Sequence, residues 1–487
     1  MNILYLGIVL SYFGIILLIG TFLRGAAKTS ESYLIAGRSM GIVLCTATIA
    51  GEWLGGMSTI GTSELAMTSG FFPMWYNVST AAGMMIFGFT IASIYRKNQV
   101  TTVGEMLEKL YNRRTRSIAS ICFVAAFVIL AYLQLQAIGS VMSEMLGIQF
   151  WIGVTVAGIL VTAYVIRGGI ESIGATNLIH VGLMYATLLT AYIVALVKIG
   201  GYEGLFLELG KVSDPETVAR FRNPFSAGLT PIAAWLLGGI LSGFASQASI
   251  QPVFAAKNIN VAKWSAILSG LIIAPLGVIV ATLGMVRRTN FFGSDEIISL
   301  KQALPNLLMN PDFIPPWVGA LGIAGILAAI LSTVGPVMFA ISTILTKDIY
   351  HRVIKEDATD LQVLRMSRIL TIAVAVIVTP MAIFFKGAIL DAAYITYAIR
   401  ASAAVAVLFG IYWVRNNVAV PTPKAVITAL ISSTAASILF VIFEPQITAL
   451  LGFTVDKVYA ALFFALASIL IVTPLTDGEE RGAGIER

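Results

Sequence analysis

Long apolar runs alternate with short polar connections along the whole chain. A run of about 20 apolar residues is long enough to cross a bilayer as a helix. The pattern therefore predicts an all-α polytopic membrane protein with 13 transmembrane helices. The predicted spans cover residues 2–23, 40–62, 71–95, 117–146, 150–166, 175–197, 229–256, 264–286, 317–345, 369–385, 388–414, 425–443 and 458–474.

Composition supports this class. Of the 487 residues, 58% are hydrophobic and 11% are charged, and the mean hydropathy is +0.89; soluble proteins carry about 25% charged residues. Residues 2–23 have neither a basic leader nor a small-residue cleavage pattern, so we expect a retained first span rather than a signal peptide. Both cysteines, Cys45 and Cys122, fall within spans, so a disulfide framework is not predicted.

The formal net charge of +6 reflects membrane topology. Of the 31 lysines and arginines, 21 fall on the connections of one predicted side and nine on the other, while Arg400 lies inside a span. The richer side of a membrane protein is normally cytoplasmic. The sequence therefore predicts a multi-pass protein of the cell (inner) membrane with its N-terminus outside and its C-terminus in the cytoplasm. The lipid bilayer, and no nucleic acid, is the expected partner of these charges.

The stretch Gly41–Glu64, which contains most of the second span, carries Gly51, Glu52, Gly55 and Gly56 near its middle. Glycine inside a helix costs about 1 kcal/mol relative to alanine, and a carboxylate at this depth costs about 2.5 kcal/mol or more unless it is paired or hydrated. Such a span is typical of a discontinuous helix whose freed carbonyls coordinate a cation beside a solute. The alternative is a tightly packed continuous helix with a paired Glu52.

A second interrupted span, at residues 231–256, contains Gly238, Gly239, Gly243 and Pro252. It follows the first by five helices, and an odd number of helices per half makes the two halves inverted repeats whose broken segments meet at a binding site. The chain is thus predicted to be one transmembrane domain. Its parts are a first peripheral helix and loop (1–38), a first repeat (39–199), a second repeat (200–416) and two peripheral helices with a tail (417–487).

The ninth span places Ala329, Ser332 and Thr333 on one helical face, because their spacing is i, i+3, i+4. Two hydroxyls and a carbonyl suit Na⁺, a hard ion that prefers oxygen ligands. Pro336 cannot donate a hydrogen bond to the Ser332 carbonyl, which loosens the helix there. The alternative is that the hydroxyls bond carbonyls of their own helix or of a neighbour.

Arg400 and Glu52 are the main clues to the solute. An arginine at mid-membrane can bind a carboxylate in a bidentate manner, and Tyr394 and Tyr397 lie on the same side of its helix. A zwitterionic or carboxylate-bearing solute would use both charges. Alternatively, Arg400 forms an ion pair with Glu52 or with Asp391 that gates or stabilises the bundle.

Other polar and aromatic residues near the predicted cavity are weaker candidates. Trp75 and Tyr76 begin the third span, where aromatic residues serve as interfacial anchors or as ligands. Gln134 and Gln136 point to different faces of the fourth span, so we expect at most one of them to line the cavity. No nucleophile–base or metal cluster accompanies either histidine, so an enzyme is not predicted.

Five motifs in this order resemble the sodium:solute symporter family, and the resemblance covers nearly the whole chain. It implies an inverted five-helix repeat like the leucine-transporter core, and Na⁺-driven uptake by alternating access. The motifs are AGRSMG (36–41), the glycine-broken helix with Glu52, GGIESIGATN (168–177), QASIQPVFAAKN (247–258), and ILSTVGP followed by TKDIY (330–350).

The resemblance also implies a sodium site. Some members hold a second Na⁺ on an aspartate that follows a threonine, but here Thr176 is followed by Asn177, so we expect one Na⁺ per cycle. The implied sodium ligands are the carbonyls of Thr46, Ile49 and Ala329 and the side chains of Ser332 and Thr333.

The stretch EWLGGMSTIGTSE (52–64) resembles the choline-transporter branch, in which Trp53 would belong to an aromatic cage for a cationic group. Ser242 stands where that branch has an aromatic residue. The sequence predicts a sodium-coupled symporter for a small polar solute such as an amine, amino acid or carboxylate; a solute sensor or a proton-coupled transporter on the same fold is the alternative. The candidate solute-binding residues are Glu52, Trp53, Trp75, Tyr76, Gln134, Ser242, Tyr397 and Arg400.

Overall fold

The computed structural model describes residues 3–22, 27–289, 302–385, 389–415, 418–452, 455–476 and 484–486. These residues form α-helices joined by short connections, with a short 3₁₀-helix (Ala36–Arg38), two π-helices (Met57–Gly61 and Leu345–Ile354) and one antiparallel hairpin of strands β1 (Val414–Arg415) and β2 (Val418–Ala419). The helices are α1 (Ile3–Phe22), α2 (Ser30–Ile35), α3 (Ile42–Trp53), α4 (Thr62–Ser69), α5 (Met74–Thr90), α6 (Ala92–Lys97), α7 (Val103–Leu110), α8 (Arg113–Leu146), α9 (Phe150–Ile199), α10 (Gly201–Leu209), α11 (Pro215–Arg222), α12 (Leu229–Ala245), α13 (Gln247–Ala255), α14 (Ile259–Arg287), α15 (Ala303–Met309), α16 (Pro316–Ile344), α17 (Asp360–Phe384), α18 (Ile389–Tyr412), α19 (Pro423–Ile442), α20 (Glu444–Leu451) and α21 (Lys457–Leu475).

Every predicted span falls on one of these helices or on a pair of them. Within the described part of the chain, seven helices are long and apolar enough to cross a membrane, and the bent pair α12–α13 adds an eighth if it forms one span. The count of 13 crossings stays a prediction, because helices such as α3 and α5 are shorter than a full span.

Two predicted spans, 150–166 and 175–197, are joined in α9. Gly169 interrupts the regular helix with φ +58° and ψ −141°. A Cβ at this position would lie 2.1 Å from the Tyr33 carbonyl oxygen, so only glycine fits the approach of α2. The kink therefore divides α9 at the point where the sequence predicts a connection.

The predicted break in the second span is confirmed. Helix α3 ends at Trp53, Leu54 has the non-helical dihedrals φ −91° and ψ 34°, and a π-helix begins at Met57. The last α-helical hydrogen bond runs from the Leu54 N–H to the Ala50 carbonyl over 3.1 Å. The carbonyls that follow Ala50 are therefore released from the regular α-helical ladder.

The second predicted break is also present, but it lies at Ser246 (φ −79°, ψ 98°), beyond the glycines that predicted it. The glycines lie inside α12, where they permit close packing against α5. A Cβ on Gly239 would lie 2.4 Å from the Ser79 hydroxyl oxygen. The bend between α12 and α13 is 43°.

Helix α16 forms the centre of the molecule. The apolar stretch that would cross the membrane is entirely buried, and it packs against α9, α8 and α3. A helix that is apolar on all sides is stable only when other helices surround it. The ion-binding face predicted on α16 is therefore turned toward protein, not lipid: Ser332 and Thr333 are 1% and 2% exposed.

Candidate ion and solute site

The two hydroxyls of α16 meet the broken end of α3. The Ser332 hydroxyl oxygen lies 2.8 Å from the Gly51 carbonyl oxygen and 2.7 Å from the Ala329 carbonyl oxygen of its own helix. The Thr333 hydroxyl lies 3.1 Å from the Gly51 carbonyl and 2.9 Å from the Glu52 carbonyl. The break in α3 leaves these two carbonyls without α-helical donors, and the α16 hydroxyls supply them.

The other predicted sodium residues, Thr46 and Ile49, lie further back in the regular part of α3 and are buried. The Thr46 hydroxyl has no hydrogen-bond partner among the described residues. The atoms gathered where α3 meets α16 are neutral hydroxyl and carbonyl oxygens. This donor set fits a small hard cation such as Na⁺, which favours oxygen ligands and is drawn to the negative end of a helix.

Glycines allow this contact between helices. A Cβ on Gly51 would lie 2.6 Å from the Asn177 amide nitrogen, and a Cβ on Gly55 would lie 2.3 Å from the Thr333 hydroxyl oxygen. Asn177 donates to the Ser332 carbonyl over 3.0 Å, which fixes α9 to α16 at the same level. The glycines of this sequence therefore let α9 and α16 approach α3 closely, in addition to breaking the helix.

Gln134 connects α8 to the broken segment. The Gly56 N–H, which the break leaves free, donates to its side-chain oxygen over 3.0 Å. Gln136 points elsewhere and donates to the Phe385 carbonyl. We expected at most one of the two to line the cavity, and Gln134 is the one beside it; its role in solute binding stays a prediction.

Glu52 and Arg400 face each other between α3 and α18. The Arg400 Nη1 atom lies 3.7 Å from Glu52 Oε1, and both side chains are almost fully buried. Arg400 also donates to the Ser246 hydroxyl over 2.9 Å, at the break between α12 and α13, and to the Thr396 carbonyl over 3.2 Å. One arginine therefore contacts both broken segments.

Aromatic rings surround the guanidinium of Arg400. Its central carbon lies 4.9 Å from the ring centroid of Tyr397, 5.3 Å from that of Trp53 and 5.7 Å from that of Phe127. The rings of Trp53 and Tyr397 are parallel within 2°, with centroids 6.0 Å apart. The Tyr397 hydroxyl donates to the Tyr76 hydroxyl over 2.5 Å, so four helices contribute to one aromatic wall.

These side chains line a narrow cavity of about 10 Å³, which is room for one water molecule. It contains six of the eight residues predicted to bind the solute, together with Thr333 of the predicted sodium set. The lining residues are Glu52, Trp53, Gly55, Met57, Tyr76, Leu130, Gln134, Thr333, Thr396, Tyr397 and Arg400.

Two predicted solute residues do not line this cavity. The Trp75 indole donates to the Pro224 carbonyl over 2.9 Å and contacts the Phe225 ring, so it anchors the connection before α12. Ser242 bonds the Gly239 carbonyl of its own helix over 3.2 Å. The side chains of Asp391 and Tyr394, which the sequence placed near Arg400, lie outside the described residues.

Sequence reasoning missed several members of the site. Ser246 is a polar residue at the end of a glycine-rich apolar run, and this position marks the second break. Thr396, one helical turn before Arg400, carried a similar signal. The Gly51 and Glu52 carbonyls were missed because the resemblance named carbonyls two to six residues earlier in the same helix.

Known proteins are similar to this chain over most of its length. The sequence profile of the sodium:solute symporter family matches residues 33–420. The chain is 25% identical to the sodium/glucose cotransporter of Vibrio parahaemolyticus, an alignment that covers 95% of this chain and 88% of that protein. It is 24% identical to the high-affinity proline transporter PutP of Bacillus subtilis, over 82% and 85% of the two chains.

The fold is also similar to a solved structure. A Na⁺-coupled sialic acid symporter, in a substrate-bound outward-open state, superposes with a TM-score of 0.81 at 18% identity. The superposition covers 99% of both chains.

Proposed function

Because this chain belongs to the sodium:solute symporter family and is a sodium-coupled multi-pass membrane transporter rather than an enzyme, we propose that it imports a small polar organic solute through the cavity between Glu52 and Arg400. The fold is the leucine-transporter-like inverted repeat. We assign residues 39–199 and 200–416 to its two halves. The two broken segments that meet around Arg400 support this division.

The Na⁺ ligands in this proposal are the carbonyls of Thr46, Ile49 and Ala329 and the hydroxyls of Ser332 and Thr333. The support is the contact of both hydroxyls with the end of α3. When Na⁺ binds, these hydroxyls exchange their bonds to the α3 carbonyls for bonds to the ion. Cation binding would then fix the distance between α3 and α16, and with it one wall of the solute cavity.

Thr333 is the link between ion and solute. Its hydroxyl contacts the Glu52 carbonyl, and its side chain also lines the cavity that contains the Glu52 carboxylate. A shift of Thr333 toward a bound ion therefore changes the position of Glu52. This single observation carries the coupling scheme, because one residue belongs to both sites.

We propose one Na⁺ per cycle, since Asn177 replaces the aspartate of a second sodium site and its amide is already bonded to the Ser332 carbonyl. One charge crossing a potential of 100 mV releases about 2.3 kcal/mol, and a tenfold Na⁺ gradient adds about 1.4 kcal/mol. For a solute without net charge, this sum supports accumulation of about 500-fold.

In the proposed orientation the N-terminus is outside the cell (inner) membrane and the C-terminus is cytoplasmic. The support is the distribution of lysines and arginines among the connections. The side that contains α7 and the π-helix Leu345–Ile354 would then face the cytoplasm.

Uptake into proteoliposomes tests the function. Purified protein is reconstituted and supplied with radiolabelled amino acids, amines and monocarboxylates, with and without an imposed inward Na⁺ gradient. We expect accumulation of one class only when the gradient is present. Uptake that ignores Na⁺ but follows an imposed proton gradient would instead support the proton-coupled alternative.

A further inference from the structure

Glu52 is an incompletely satisfied buried carboxylate. Its Oε2 atom has no hydrogen-bond partner among the described residues, although the side chain is almost fully buried. The carboxylate has a hydrogen bond with the Ser246 side chain, and its Oε1 atom is 3.7 Å from Arg400, which is beyond hydrogen-bond distance. An unpaired buried carboxylate oxygen is costly unless a donor completes it. The carboxylate lines the cavity, so a solute entering there can supply that donor.

Arg400, in contrast to Glu52, can accommodate a further hydrogen-bond acceptor. It bonds the Ser246 hydroxyl and the Thr396 backbone and side chain, all of which are neutral oxygens. Its guanidinium carries five N–H groups in a planar fork that matches a carboxylate. The arginine therefore has room for an anionic oxygen that none of its hydrogen-bond partners in the described structure provides.

A lone cation fits this cavity poorly. The faces of Trp53 and Tyr397, which would form an aromatic cage, are already occupied by the guanidinium of Arg400 at 5.3 Å and 4.9 Å. A quaternary ammonium would have to displace that cation or lie beside it, and like charges repel strongly at low dielectric.

A lone anion fits no better. A carboxylate that takes Arg400 leaves Glu52 next to a second negative charge. A neutral polyol can form hydrogen bonds with both Glu52 and Arg400, but it brings no opposite charge to either of them. Only a solute that brings one charge of each sign replaces a long ion pair with two shorter ones and leaves the net charge of the cavity unchanged.

We propose that the transported solute is a small zwitterion whose carboxylate binds Arg400 and whose ammonium binds Glu52. This inference rests on the proposed function. The ammonium also lies at the C-terminal end of α3, where the helix dipole favours a cation. Met57 and Leu130 line the same cavity and would contact a small apolar side chain, as in an α-amino acid.

Ligand-induced thermal stabilisation of the full-length protein in detergent and NaCl tests this class, because a ligand that binds only the folded state raises its melting temperature. The panel contains α-amino acids, their methyl esters and N-acetyl derivatives, choline, simple monocarboxylates and hexoses. At least one free amino acid should stabilise the protein, and blocking either charged end should weaken its binding about 10- to 100-fold.

Two conservative variants assign the two ends. In Glu52→Gln, binding of the amino acid should weaken, while the analogue that lacks the amino group should bind as well as or better than it binds the unchanged protein. In Arg400→Lys, binding of the amino acid and binding of its deaminated analogue should both weaken, because lysine lacks the planar guanidinium that pairs with a carboxylate. Trp317→Phe, at an exposed position near the start of α16, should leave all affinities unchanged.

Stabilisation by choline or a hexose, but by no zwitterion, would overturn the inference while leaving Na⁺-coupled transport intact. If no solute of any class is taken up in a Na⁺-dependent manner in proteoliposomes, the proposed function itself fails. The panel on the unchanged protein decides the solute class even if a variant does not fold.

Discussion

The Ser332 hydroxyl of α16 lies 2.8 Å from the Gly51 carbonyl oxygen of α3, although 281 residues separate the two positions. This contact joins the fully buried central helix to the point where the second span breaks. Thr333 repeats the contact one residue later, on the Gly51 and Glu52 carbonyls. Two hydroxyls of α16 thus provide hydrogen bonds to carbonyls of α3 that have no donor within α3 itself.

Removing both hydroxyls should weaken Na⁺ binding. In the double variant Ser332→Ala, Thr333→Ala, we expect the Na⁺ concentration that gives half-maximal uptake to rise at least about tenfold. The reason is that each ligand bond contributes about 1 kcal/mol or more. The measurement is the Na⁺ dependence of uptake in proteoliposomes. Ser342→Ala is the matched control, since the one described partner of this buried hydroxyl is the Phe339 carbonyl of its own helix. An unchanged Na⁺ constant in the double variant would refute the ligand assignment.

A single methyl group at Gly55 should abolish transport. The added Cβ would lie 2.3 Å from the Thr333 hydroxyl and 2.9 Å from the Gln134 amide, so α3 and α16 must separate at the proposed ion site. We expect Gly55→Ala to reach the membrane with little Na⁺-dependent uptake. In Gly182→Ala the new Cβ meets nothing within 4 Å, and uptake should be normal. Normal Na⁺ affinity in Gly55→Ala would contradict the proposed packing.

One Na⁺ per cycle should give a Hill coefficient of about 1 for the Na⁺ dependence of uptake. The reason is that Asn177 offers a neutral amide, bonded to Ser332, in place of a carboxylate. Parallel flux measurements with ²²Na⁺ and labelled solute should give a ratio near one. A ratio near two would require a second ion site and would exclude the single-ion scheme.

A charged cluster fixes α7 to the end of α16. Asp348 is fully buried and accepts hydrogen bonds from Arg116 (2.8 Å), Thr102 (2.7 Å) and Ser120 (2.8 Å). Asp348→Asn removes one of the two acidic partners of the buried Arg116, which keeps Glu108, and we expect destabilisation of about 2 kcal/mol. Thermal denaturation in detergent measures this loss.

Glu356→Gln is the control for that experiment. Glu356 is 56% exposed and pairs with Arg113 and Arg352 at the surface. Removing a surface pair should change stability by less than about 1 kcal/mol. Equal losses in the two variants would show that burial does not set the strength of the Asp348 cluster.

Protonation of Glu108 at low pH should weaken its ion pairs with Arg116 and Arg352 in the same cluster. Burial acts to raise the pKa of Glu108, but hydrogen bonds from Arg352 and Arg116 outweigh it, so the pKa lies below its ordinary value of 4.5. The stabilisation from this carboxylate is therefore complete above pH 4.5 and is lost as the pH falls through the lower pKa of the folded protein. Melting temperatures measured from pH 7 to pH 3 should fall more steeply for the unchanged protein than for Glu108→Gln.

The apolar pattern alone determined much of the fold. Each predicted span falls on helical residues, because apolar runs of this length are stable in a bilayer only when every backbone bond is made within the segment. The first break was also readable, since Gly51, Glu52, Gly55 and Gly56 concentrate several penalties at one depth. The pairing of Ser332 and Thr333 on one face followed from helical periodicity.

Partners and distances were decided only by the tertiary structure. The sequence left open whether Arg400 pairs with Glu52 or binds solute; the fold puts these side chains 3.7 Å apart and places Ser246, at the break between α12 and α13, within hydrogen-bond distance of Arg400. Trp75 and Ser242 looked equivalent to Tyr76 and Gln134 along the chain, yet neither lines the cavity, and each bonds a backbone carbonyl elsewhere. Helical spacing fixes only neighbours within one helix, whereas a binding cavity is defined by how separate helices cross, and that depends on packing contacts hundreds of residues apart.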